Sequence, residues 1–332
     1  MLAVHLEGGR VHVRRQPLPR IPQGFARIRL LAGGICSTDL ELQHGYYGFS
    51  GTPGHEFVGE VTEVSGAGPR PAGASQAAST WIGQRVCGEI NLACGHCDWC
   101  ARGLGRHCPT RTVLGIVKHP GAFREFLTLP LRNLHRVPAS LATEHAVFVE
   151  PVAAACEILD QVKIPKGERV AVLGDGKLGL LIAQVLEAYG AQVHLFGRHK
   201  EKMRLVEPVG VTTEVAPKKM PVRKWPIVVD STGSSDGLRT AISMTVPRGT
   251  VIMKSTVHGL VKIDTAPAIV NELTLVGSRC GRFEAALPLL ASGKVQVAGM
   301  LSGEYPLDQA RKAFARAAKK GVLKVLLRPP SS

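Results

Sequence analysis

Arg169–Leu173 (RVAVL), followed at once by Gly174-Asp175-Gly176-Lys177-Leu178-Gly179, constrains this 332-residue chain more than any other stretch. A short apolar run closed by glycine reads as a buried strand. Leu178–Tyr189 then has helical apolar spacing, closed by Gly190 at a C′ position. A Gly-x-Gly-x-x-Gly run between strand and helix turns the chain at its first glycine, admits a pyrophosphate at the second and packs helix on strand at the third. Backbone N–H groups at the helix start, including Lys177 and Leu178, then face phosphate. The bland reading of such a run is a plain tight turn; the strand before it and the helix after it favour a dinucleotide.

The same rhythm continues through Val193–Phe196, a charged helix from about His199, and the apolar strands Pro226–Ser231 and Thr250–Lys254, with a helical stretch near Gly237–Thr245 between the last two. Alternation of this kind predicts an α/β domain with a parallel, doubly wound sheet. Before about residue 150 the chain is short apolar runs broken by Gly and Pro, such as FARIRLLAGGI, HEFVGEVTEV and AFREFLTLP, which predict an irregular β arrangement. Gly66–Thr80, rich in small residues and Pro, reads as an exposed loop. Mixed short elements return over the last fifty or so residues, so the α/β domain, about 152–280, is expected to be inserted between two parts of another, 1–151 and 281–332.

Where the second strand ends, a nucleotide-binding sheet commonly offers Asp or Glu to the ribose hydroxyls. This chain has Gly197, Arg198, His199 and Lys200 there and no acid. A small residue followed by cations suits a 2′-phosphate and favours NADP over NAD; the bland reading is that Arg198 and Lys200 open a solvated helix.

Eight cysteines occur, four of them within fifteen residues: Cys94, Cys97, Cys100 and Cys108. Clustered thiolates in a long chain suggest metal before disulfides. Four can enclose one tetrahedral zinc; an iron–sulfur cluster is the rival, against which only the longer final spacing argues. Cys36, His55, Glu56 and Glu150 are dispersed, and spacing alone reads them as ordinary core residues as readily as ligands.

The net charge of +15 raises nucleic acid as a partner. Yet the cations are scattered, with modest clusters near Arg14–Arg15, Pro217–Lys224 and Arg311–Lys324, and the last is expected on the solvated face of an amphipathic helix. Aromatics at 5% are too few for an obvious stacking platform. No apolar run approaches a bilayer-spanning length, and the opening MLAVHLEGGRVHVRR has no secretory pattern, so a cytoplasmic enzyme without membrane or nucleic-acid partners is expected.

Gly34-Ile35-Cys36-Ser37-Thr38-Asp39, Pro53-Gly54-His55-Glu56 with Gly59, the four-cysteine run, Glu150-Pro151 and the Gly174–Gly179 loop occur in the order that resembles the zinc-dependent medium-chain alcohol dehydrogenases. The likeness runs through Tyr305-Pro306-Leu307, and Glu150 resembles the glucose, polyol and threonine dehydrogenase branch. The resemblance implies a Rossmann domain inserted in a mostly β, GroES-like catalytic domain with a structural-zinc lobe at about 91–110. It implies two zinc ions: a catalytic one on Cys36 and His55, with Glu56 or Glu150 as exchangeable carboxylates, and a structural one on Cys94, Cys97, Cys100 and Cys108. Thr38 matches the proton-relaying hydroxyl, Asp39 the residue behind the histidine ligand, and Glu41 a relay or substrate-contacting position. Polyol, sugar or secondary-alcohol oxidation with NADP, by a homodimer or homotetramer, is what the likeness implies. Threonine or simple secondary alcohols are the alternative, and a non-catalytic zinc-stabilised nucleotide- or nucleic-acid-binding protein is the rival of another class. Ser65 and the loop after it depart from the family pattern.

Overall fold

The computed structural model describes residues 1–65, 78–256 and 261–330. Most of the loop expected at Gly66–Thr80 therefore lies outside the described residues. The chain forms two compact units, one of Met1–Glu150 with Leu301–Ser332 and one of Pro151–Met300.

In the first unit the central strand is Phe25–Ile35, whose alternating burial marks a strand with one face in the core. Glu56–Val64 pairs with it antiparallel on one side, with Gly34 opposite Glu56. Lys324–Arg328 pairs antiparallel with its last residues, with Ile35 opposite Val325. Two neighbouring strands therefore begin where the central strand ends. The glycines of that end are required by crowding: a Cβ on Gly34 would sit 2.7 Å from both Glu56 Oε2 and Val147 Cγ1. Arg85–Gly88, Leu134–Arg136, Phe126–Pro130 and Leu301–Pro306 complete a seven-stranded sheet.

The second unit holds a six-stranded, all-parallel sheet in the order Thr212–Val215, Gln192–Gly197, Arg169–Leu173, Trp225–Asp230, Thr245–Met253, Thr274–Gly277. Order reverses around Arg169–Leu173, which is the doubly wound arrangement the strand–helix rhythm predicts. Lys177–Ala188 is the helix after the glycine run, and Gly190 closes it with φ +95°.

Residues 281–300, assigned from sequence to the split domain, cluster instead with Pro151–Met300. Gln184 explains part of this. Its buried amide donates to the Gln296 carbonyl at 3.1 Å and accepts from the Gln296 N–H at 2.7 Å, tying this segment to the helix Lys177–Ala188. The basic run Arg311–Lys324 is also corrected: the helix covers only Ala310–Ala317, and Lys324, far from being solvated, is 1% exposed. No helix among the described residues is long and apolar enough to cross a membrane.

Candidate active site and metal centres

The central strand delivers Cys36 at its end, where Cys36 caps the helix Ser37–Gln43. Asp39, fully buried in that helix, accepts from the Cys36 N–H at 2.8 Å through Oδ2 and from the Gly54 N–H at 3.1 Å through Oδ1. The same carboxylate thereby ties the cysteine turn to the histidine loop, and its Oδ1 lies 3.5 Å from His55 Nδ1, a buried nitrogen with no hydrogen-bond partner among the described residues. A ligand atom each from Cys36, His55 and Glu56 lies within 4.8 Å of the others. Thiolate, imidazole and carboxylate are a donor set that suits zinc. His55 Nδ1 faces Asp39, which leaves the other ring nitrogen for a metal. Thr38 Oγ1 is 4.0 Å from Cys36 Sγ, and Glu41 is half-buried on the same helix.

Sequence reasoning missed Lys324. Its ammonium forms an ion pair with Glu56, and both side chains are 1% exposed. Its Nζ also lies 5.4 Å from the centre of the Phe148 ring. Burial presses the Lys324 pKa down, but the charges of Glu56, Cys36 and Glu150 outweigh it and raise it. Glu150, at the start of helix Val149–Gln161, is not part of the 4.8 Å group. A lone lysine at the start of an apolar strand carries no local signal of such a role.

The four-cysteine cluster is compact. Its sulfurs lie 3.8 Å apart for Cys94 and Cys100, 3.5 Å for Cys97 and Cys100, 3.8 Å for Cys97 and Cys108, and 3.6 Å for Cys108 and Cys94. None is in a disulfide. Four sulfurs on a tetrahedron with a metal–sulfur length of about 2.3 Å have edges of about 3.8 Å, so the cluster fits one zinc ion. The N–H of His96 leads the interactions that hold the Cys94 thiol at about 5, which favours the thiolate a metal needs.

At the glycine run, Gly174 has φ +107°, and a Cβ there would lie 2.8 Å from the Ser231 carbonyl oxygen. A Cβ on Gly176 would meet nothing within 4 Å, so the helix start is open on the side where phosphate would approach. Gly197 ends the second strand, and Arg198 and Lys200 are exposed beyond it. The absence of an acid there holds for the strand but not for the space around it. Asp175, from the glycine run, puts Oδ2 2.8 Å from the Arg198 N–H and 2.6 Å from the His199 N–H.

Residues 22–139 match the alcohol dehydrogenase GroES-like domain, and residues 178–292 match the zinc-binding dehydrogenase domain. The chain belongs to the zinc-dependent medium-chain alcohol dehydrogenase family. Among this dehydrogenase's relatives, sorbitol dehydrogenase of Halalkalibacterium halodurans is 26% identical, over 97% of this chain and 96% of that one. D-altritol 5-dehydrogenase of Agrobacterium fabrum is 29% identical, over 94% of each. A zinc-binding dehydrogenase of Sinorhizobium meliloti, solved with NADP bound, superposes with a TM-score of 0.86 at 30% identity over 99% of both chains. The dehydrogenase therefore has a GroES-like domain and a Rossmann-type sheet, and it is an alcohol oxidoreductase.

Proposed function

We propose that this dehydrogenase oxidises a polyol or related sugar alcohol with NADP, at a zinc held by Cys36, His55 and a carboxylate. The observation that carries the reading is the convergence of Cys36, His55 and Glu56 within 4.8 Å, with Asp39 bonded to the Cys36 N–H and to the N–H of Gly54 just before His55. When bound, zinc supplies Lewis-acid polarisation of the substrate hydroxyl. Thr38 accepts the hydroxyl proton and passes it outward, with Glu41 on the same helix in a relay or substrate-contacting role. Asp39 keeps the His55 ring oriented through its Nδ1 side. Lys324 neutralises Glu56, which with Glu150 would offer the carboxylate of the zinc's ligand set.

The polyol preference is supported by the relatives named for sorbitol and D-altritol. Arg198 and Lys200 support NADP, as do Lys218 and Lys219 just beyond the neighbouring strand Thr212–Val215. Gly174, Gly176 and Gly179, with the N–H groups of Lys177 and Leu178, hold the pyrophosphate. The second zinc sits on Cys94, Cys97, Cys100 and Cys108 and does no chemistry. Eight cysteines, none of them in a disulfide among the described residues, support a reducing, cytoplasmic setting. The edge strand Thr274–Gly277, with Leu275 exposed and Ile269 and Val270 exposed on the helix before it, supports a homo-oligomer.

A screen of polyols, sugars, L-threonine and simple secondary alcohols with both cofactors tests the reading. Polyol turnover that is faster with NADP and abolished in His55→Ala is expected. Absence of polyol turnover by zinc-replete protein, or turnover that survives His55→Ala, overturns it.

A further inference from the structure

The end of strand Gln192–Gly197 carries a carboxylate that does not belong to it. Asp175 lies in the turn between the first and second glycines of the Gly174–Gly179 run, and its side chain is 10% exposed. Its Oδ2 accepts three hydrogen bonds: the Arg198 N–H at 2.8 Å, the His199 N–H at 2.6 Å and His199 Nδ1 at 2.9 Å. Gly197 provides the room. A Cβ there would sit 2.7 Å from Asp175 Cβ, 2.9 Å from its Oδ2 and 2.6 Å from Met203 Sδ. A side chain on the strand's last residue and the inward-turned Asp175 therefore exclude one another.

The cations around this point are differently disposed. Arg198 and Lys200 are exposed, and the Ala216 N–H donates to the Gly197 carbonyl at 2.8 Å, joining the ends of the two neighbouring strands. Lys218 and Lys219, from the Pro217–Lys224 cluster that sequence left without a role, follow directly and are exposed. Glu214, on that neighbouring strand, is paired with His194 at 2.9 Å.

We infer that Asp175 is a positioning residue for cofactor choice: by turning its carboxylate onto the N–H groups of Arg198 and His199, it fixes the strand end so that cations, and no carboxylate, meet the adenosine ribose. The inference rests on the NADP reading above and adds the residue that enforces it. Burial raises the Asp175 pKa, but the N–H groups of His199 and Arg198 outweigh it and hold the carboxyl ionised. Three donors on one oxygen hold it more firmly than one hydrogen bond would, which suits a clamp better than a ribose acceptor that must exchange with solvent.

Calorimetric binding of adenosine 2′,5′-bisphosphate and of 5′-AMP to the zinc-loaded enzyme separates the possibilities without reference to turnover. The unmodified protein should favour the bisphosphate. Asp175→Ala should lower that preference about tenfold, chiefly through the bisphosphate, since one charge-assisted contact is at stake. Gly197→Ala, which displaces the Asp175 side chain, should do the same. Asp175→Asn keeps an acceptor oxygen and should retain the preference, whereas a merely structural role would weaken both probes together. If Asp175→Ala keeps the unmodified ratio, or weakens 5′-AMP more than the bisphosphate, the inference fails while the cofactor reading stands. If the unmodified protein does not distinguish the probes, the cofactor reading fails and the inference with it.

Discussion

At the scale of single residues, the active site is a set of buried charges, each stable only because of another. Asp39 faces the N–H groups of Cys36 and Gly54, and Glu56 faces Lys324. Removing one partner of a fully buried pair costs about 3–5 kcal/mol, because the other charge stays behind. Lys324→Met should therefore destabilise the metal-free protein by that order, and Lys324→Arg by much less, in denaturant titrations. A Lys324→Met midpoint equal to the parent's would mean that the pair contributes nothing to folding. Two further variants separate metal binding from proton transfer. His55→Ala removes a permanent ligand and should abolish both activity and catalytic-site metal. Thr38→Ala should keep the metal but slow turnover by ~10²–10⁴-fold, the range for a positioned proton transfer. Near-full activity in both would place the chemistry elsewhere.

At the scale of elements, antiparallel pairing does the assembly. Strands Glu56–Val64 and Lys324–Arg328 flank the end of Phe25–Ile35, so a carboxylate, an ammonium and a thiol from three distant stretches meet at one edge of the sheet. The lobe at about 91–110 is built differently. Its regular structure is slight, a two-residue strand at Asn91–Leu92 and the short helices Asp98–Ala101 and Gly105–His107. Elements this short bury little apolar surface, so a zinc ion on the four cysteines would supply much of the lobe's folding energy. Cys97→Ser should release that zinc and raise amide hydrogen exchange across the lobe, while exchange in the strands Arg169–Leu173 and Gln192–Gly197 stays unchanged. Unaltered exchange in the lobe would show that it does not depend on its metal.

At the scale of the whole molecule, the chain divides into two units, one bearing the two cysteine-containing groups that could hold a metal and the other the glycine run. Metal analysis of zinc-replete protein should give two ions per chain, one of them lost first on mild chelation because a catalytic site keeps an open position. One ion or fewer would contradict the pair of sites. Cofactor choice should follow the cations of the second unit. A charge-assisted contact is worth roughly 1.5–3 kcal/mol, so NADP should exceed NAD about tenfold or more in kcat/KM, and Arg198→Ala should shrink the ratio chiefly through the cofactor KM. Equal use of the two cofactors by the unmodified enzyme would count against it.

What the chain's order of residues determined by itself was whatever depends on near neighbours. Gly174 and Gly176 mark a tight strand-to-helix turn because backbone conformation and the absence of a Cβ are local properties. Cys94, Cys97, Cys100 and Cys108 mark a compact four-sulfur cluster because one short loop brings all four together. Strand and helix periods likewise set out the parallel sheet, and motif order set out the family. What needed the tertiary structure was everything carried by contact between distant stretches. Cys36, His55 and Glu56 are unremarkable apart and become a site only through sheet register and the Asp39 lock. Lys324 is 268 residues from Glu56, and nothing near it distinguishes it from a solvated lysine. The missing ribose acid was half an illusion of the same kind: the strand has none, but Asp175 reaches its end from 24 residues before His199. Segment 281–300 groups with the other unit, and part of the reason is that Gln296 bonds back to Gln184. Local conformation is written in each short stretch of residues, but the partner of a buried charge is chosen by the fold.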